Sequence, residues 1–134
     1  MNLRSDVAKK IERDLEVFGL SDCAKDIAIF IANQPYPTDF YLSLTDLVKA
    51  VNACPKEDVE KVVNYLSSPP NPVLSRSYCF VDSERIFHEL DEEALLGFQE
   101  TKKLYHPSSG KIVDESDLHI FLLYKTSVEK VADL

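Results

Sequence analysis

Residues 43–72 read SLTDLVKAVNACPKEDVEKVVNYLSSPPNP, and the punctuation of this stretch decides the fold. Ser43-Leu44-Thr45-Asp46 offers capping oxygens at the head of a helix that carries Leu44, Leu47, Val48 and Val51. Asn52-Ala53-Cys54 makes the turn after it. Pro55 suits the first position of the next helix, because its missing N–H is one that a helix start leaves unpaired anyway. Glu57 and Asp58 fall in that helix's first turn, where the macrodipole favours negative charge. Val59, Val62, Val63 and Leu66 recur at helical spacing and form one apolar face. The Pro69-Pro70-Asn71-Pro72 run then forbids continuation.

Upstream, Val7, Ile11, Leu15 and Phe18 predict an amphipathic helix over 6–18, with Ser5 as its N-cap and Gly19 as its stop. Ser21 is placed to cap a second helix, whose Ala24, Ile27, Ala28, Phe30 and Ile31 cover more than one stripe and predict burial on most sides. Phe40-Tyr41-Leu42 is a short extended segment. Downstream the period changes to that of strands, with 73–81 and 85–90 joined by the polar tip Asp82-Ser83-Glu84. Asp91-Glu92-Glu93, followed by Ala94, Leu95, Leu96 and Phe98, predicts a short helix. Pro107 and Gly110 suit a tight reversal between Leu104-Tyr105 and Lys111-Ile112-Val113, a second hairpin. The nearly continuous apolar run 118–124 reads as a strand covered on both faces, and 127–134 as a last helical turn or a frayed tail.

The order of three helices, a short turn between the last two, and a two-stranded hairpin resembles a winged helix-turn-helix domain over residues 22–90. Ala24 to Ala32, Ser43 to Val48, Asn52-Ala53-Cys54-Pro55, Lys56 to Leu66 and Val73 to Leu90 carry the resemblance. No glycine separates the third helix from the wing, and the proline run stands in its place. The fold class expected is α+β: a winged-helix-like three-helix core with a β-hairpin wing, plus an N-terminal helix. Residues 1–90 form the first part, and 91–134 are a small α+β C-terminal extension packed on the same domain.

The resemblance implies DNA contact through the third core helix, where basic and amide side chains meet phosphates and bases. Lys56, Lys61, Asn64, Arg76 and Arg85 are the candidate contact set here. Glu57 and Glu60 share the outer face of that helix, and the chain of 134 residues carries 15 basic and 23 acidic residues, a net charge of -8. Nucleic-acid affinity draws on Lys and Arg displacing phosphate counterions, so this balance disfavours nucleic acid and anionic lipid alike. A winged-helix-like scaffold without its basic face resembles the members that act as protein-interaction modules. The expected function is therefore a non-enzymatic regulator or adaptor working through protein contacts. DNA-binding transcription regulation is the alternative, and an enzyme with an unrecognised site is the third reading. Tyr36, Phe40, Tyr41, Tyr105 and His106 are the protein-contact candidates, with the acidic block Glu89 to Glu93. The stripe Val7, Ile11, Leu15 and Phe18, or the C-terminal extension, is expected to make a homodimer.

The histidines, His88, His106 and His119, lack the i, i+4 spacing of helical zinc ligands, and Cys79 meeting His88 across the hairpin supplies only two ligands. No metal site, cofactor or catalytic residue is expected. Gly19, Gly97 and Gly110 are isolated, so no phosphate cradle is present. Cys23, Cys54 and Cys79 are odd in number and widely spaced, which suits buried thiols in a reducing cytoplasm better than a disulfide scaffold. No apolar run approaches the ~20 residues of a membrane span, and the N-terminus reads as a charged helix rather than a signal peptide. The expected address is cytoplasmic.

Overall fold

The computed structural model describes residues 2–35, 38–70, 72–114 and 118–133. The chain is α+β: five α-helices and a four-stranded sheet among the described residues. It divides into two compact units, 1–76 with 124–134 and 77–123.

In the first unit, α1 (Ser5–Leu15) runs into a 3₁₀ turn at Glu16–Phe18 and stops at Gly19, whose φ of 69° lies in the left-handed region that glycine enters without strain. The helix α2 (Ser21–Ala32) buries Cys23, Ala24, Ile27, Ala28, Ile31 and Ala32. Of the expected apolar set Phe30 is half-buried, and Ile29 is exposed. Ser5 and Ser21 are first helical residues rather than caps; Arg4 and Leu20 hold the cap positions, and neither makes a side-chain cap hydrogen bond. At α3 (Leu44–Ala50) the predicted cap is present. Ser43 Oγ accepts from the Asp46 N–H at 3.0 Å, and Asp46 Oδ2 accepts from the Ser43 N–H at 2.9 Å. Pro55 precedes α4 (Lys56–Leu66) as its N-cap, one residue earlier than expected. Val59, Val62, Val63 and Leu66 are all buried, as their spacing predicts.

Past the proline run the chain folds back, with the N–H groups of Val73 and Leu74 both donating to Leu66 O. The strand β1 (Phe40–Leu42) pairs antiparallel with the end of β4 (Ile120–Thr126), Leu42 opposite Tyr124. Residues 127–133 are not a frayed tail. A 3₁₀ turn at Val128–Lys130 leads to an antiparallel bridge between Leu3 and Ala132, and Val131 and Ala132 are buried in the same core as α1 and α2.

In the second unit, β2 (Ser75–Val81) pairs antiparallel with β3 (Phe87–Glu89), Phe80 opposite His88. The strand β3 starts two residues later than expected because Arg85, at φ 64°, belongs to the turn. The helix α5 (Glu92–Thr101) follows, capped by Asp91, whose Oδ1 accepts from the Ala94 N–H at 2.7 Å. The expected second hairpin reduces to one bridge, Tyr105 to Ile112, around the 106–110 turn. A small core of Phe80, Leu90 and Leu104 holds these pieces, with Leu95, Phe98 and Ile120 packed against it. That core is why 77–90 group with 91–123, whereas the sequence suggests a division after residue 90. The strand order is β1-β4-β2-β3. The run 118–124 is not covered on both faces: Phe121 and Leu122 are exposed in β4.

Candidate functional site: an Asp-His-His cluster

The tip of the β2–β3 hairpin is organised by one side chain. Asp82 Oδ1 accepts from the N–H groups of Glu84 and Ile86, at 2.9 and 2.8 Å, closing the turn on itself. Its Oδ2 faces Nε2 of His88 at 2.9 Å and Nε2 of His106 at 3.0 Å. The strand pairing brings His88 to Asp82, and the bridge after Leu104 brings His106, so residues 6 and 24 positions apart meet. All three side chains are largely buried, at 9% exposure for Asp82, 13% for His88 and 21% for His106.

Phe80 stacks on His88 with ring centroids 5.8 Å apart and meets His106 edge-on at 5.9 Å. The two imidazoles lie 4.6 Å apart at 72°. His106 Nδ1 accepts from the N–H groups of Ser108 and Ser109, at 3.0 and 3.3 Å, so the ring proton of the neutral form sits on Nε2 and points at Asp82. Hydrogen bonds from His88, then from His106 and the Ile86 N–H, hold the Asp82 carboxyl well below the usual carboxylate range, against a smaller opposing effect of burial. Asp82 is therefore an anion accepting four hydrogen bonds. A small cavity of about 160 Å³ opens beside it, lined by Asp82 and His106 with Ser83, Ser109, Lys111 and Asp114.

A nucleophilic triad needs the far nitrogen of an Asp-held histidine turned to a hydroxyl. In His106 that nitrogen is taken by backbone N–H groups, and among the described residues no hydroxyl is bonded to either ring. Two imidazoles and a carboxylate are also a transition-metal donor set, and the ligand atoms of the three residues lie within 4.8 Å of one another. Sequence spacing missed this set because its third member, Asp82, read as a polar loop tip. A histidine two register positions along from an aspartate at a hairpin end, hence its diagonal neighbour, is the signal that points to it, and the approach of His106 has none.

The other candidates scatter. Cys79 sits opposite Glu89 rather than His88, and with Ser77 Oγ 3.6 Å from its Sγ it is not brought to either histidine of the cluster. Lys56, Lys61 and Asn64 are exposed along α4, where Arg76 donates to Asn64 Oδ1 at 2.8 Å, while Arg85 belongs to the second unit. Phe40 is core, 8% exposed, and not a contact residue. Tyr41 is half-buried with Lys125 Nζ 5.8 Å from its ring centre, and Tyr36 lies outside the described residues. Tyr105 is exposed. In the α1 stripe Ile11 and Leu15 are buried in their own unit and Val7 packs against that core, which leaves only Phe18 for a partner. Cys23 and Cys79 are buried and Cys54 is half-buried; burial, with Cys54 beside it, pushes the Cys23 thiol up to about 12.

No family model matches this chain, and comparisons with curated proteins and with solved structures give no match. Among the described residues no helix is long and apolar enough to cross a membrane.

Proposed function

We propose that this chain is a non-enzymatic binding module that works through protein contacts, and that residues 77–123 present the contact surface. One observation carries the reading. Of eleven large apolar side chains exposed among the described residues, eight lie in that 47-residue unit, Ile86, Phe87, Leu96, Tyr105, Ile112 and Phe121 among them at 40–56% exposure. A unit whose apolar core is Phe80, Leu90 and Leu104, with this much apolar surface outside it, is built to be covered, and half-exposed aromatics are what protein interfaces use as anchors.

Charge narrows the partner. Residues 77–123 hold ten acidic and four basic residues, so six of the eight net negative charges sit there. Two copies meeting through this unit repel, whereas a partner with apolar side chains ringed by Lys and Arg is attracted and steered. The reading therefore favours a basic protein partner over a second copy meeting through this unit. The winged-helix-like reading of the scaffold rests on element order alone and leaves this proposal unchanged.

The test compares the native chain with a Phe87→Ser, Phe121→Ser double variant, used as immobilised baits in cell extract at moderate salt. The expected result is a set of basic proteins held by the native chain and lost by the variant, while circular dichroism shows the variant folded. Identical retention by both baits, or none by either, overturns the reading. The alternative, DNA binding through Lys56, Lys61 and the Arg76–Asn64 pair, predicts retention of duplex DNA that falls steeply with salt.

A further inference from the structure

We infer that Asp82, His88 and His106 bind a single divalent first-row transition-metal ion, which ties the β2–β3 turn, β3 and the 106–110 turn of the second unit to one another. This site stands apart from the protein-contact reading, and neither depends on the other.

Spacing comes first. Metal bonds of about 2.0–2.2 Å to nitrogen and oxygen put neighbouring ligand atoms about 3 Å apart at a right angle and about 3.4 Å apart in a tetrahedron. Asp82 Oδ2 is already 2.9 and 3.0 Å from the two Nε2 atoms, the spacing of neighbouring ligands, so an ion sits to one side of both N···O lines and the two Nε2 lone pairs turn from Oδ2 towards it as the ring protons leave. Orientation comes second. Oδ1 of Asp82 is anchored by two backbone N–H groups, which leaves Oδ2, aimed between the imidazoles, as the ligand atom. Phe80 packs against both rings and fixes their planes. Room comes third: the adjoining cavity of about 160 Å³, with Ser83, Ser109 and Asp114 on its walls, holds the waters that complete coordination, each needing about 30 Å³.

Two neutral imidazoles and one carboxylate suit zinc and its first-row neighbours, whereas calcium and magnesium prefer all-oxygen sets. The proton balance makes a specific demand. Each imidazole ligates through the Nε2 lone pair, so its ring proton moves to Nδ1 and no proton is released. In His88, Nδ1 has no hydrogen-bond partner among the described residues and can take the proton. In His106 the same nitrogen accepts from Ser108 and Ser109, and loading must turn those two N–H groups away. Metal entry is thereby coupled to a rearrangement of the 106–110 turn.

The experiment titrates the full chain, stripped with a chelator, with Zn²⁺ by calorimetry and with Co²⁺ by visible absorption, and follows backbone amides by NMR. The expected result is one equivalent bound with micromolar or tighter affinity, a Co²⁺ ligand-field band, and shifts centred on residues 82, 88, 106, 108 and 109. His88→Gln and His106→Gln keep an N–H for Asp82 but remove a ligand, and each lowers affinity at least ~10-fold. His119→Gln binds as the native chain does. Absence of binding, only millimolar binding, or undiminished affinity in the His88→Gln, His106→Gln double variant overturns the inference. Where the variants fail to fold, the amide map of the native chain decides: shifts at the cluster support the site, and shifts centred on His119 or Cys54 overturn it.

Discussion

Tyr65 and Phe80 are half-buried and buried aromatics with different neighbours, and they respond to different perturbations. The Tyr65 hydroxyl donates to Asp14 Oδ2 at 2.6 Å, and burial together with this bond pushes its pKa up to about 12. A raised folded-state value means that the contribution is fully present below the ordinary tyrosine range near pH 10 and is lost as pH rises from there towards 12. Tyr65→Phe should remove this alkaline loss and cost about 1 kcal/mol at neutral pH, read from urea unfolding at several pH values. Phe80 is 1% exposed and carries the small core of the second unit together with both imidazole contacts. Phe80→Ala should cost about 3–5 kcal/mol, enough to unfold residues 77–123, which amide exchange of that segment would report.

Among the elements, the serines before the first three helices separate a capping signal from a cap. The pattern nominates Ser5, Ser21 and Ser43, and only Ser43 holds the N-cap position with the reciprocal Asp46 bond. Ser43→Ala should therefore lower stability by about 1 kcal/mol in urea unfolding, while Ser5→Ala should stay within about 0.5 kcal/mol of native. The helices were legible because their apolar spacing is local, as Val59, Val62, Val63 and Leu66 show. The strand ends were less so: β3 loses its first residues to a left-handed Arg85, and the 104–113 hairpin keeps one bridge, because pairing depends on partners distant in the chain.

For the whole molecule, the net charge of -8 sets what it can approach. Fluorescence anisotropy with mixed duplex DNA should show no binding at physiological salt; tight, salt-sensitive binding would instead favour the alternative function. Self-association through residues 77–123 should be absent at low salt in sedimentation velocity, since like-charged copies meet there. Concentration-dependent dimers that vanish in Phe87→Ser, Phe121→Ser would replace the basic partner with a second copy.

Composition and local periodicity by themselves determined the class, the helices and the acidic surface, because each depends on side chains a few residues apart. Tertiary structure alone decided which apolar residues remain outside and which polar ones meet. Phe40 and the α1 stripe were taken into the first core, while Phe87 and Phe121 were left exposed. The Asp82 cluster lay beyond sequence reasoning for the same cause. His106 reaches Asp82 only through a turn and one bridge formed 24 residues downstream, and no short-range pattern encodes a meeting that distant packing creates.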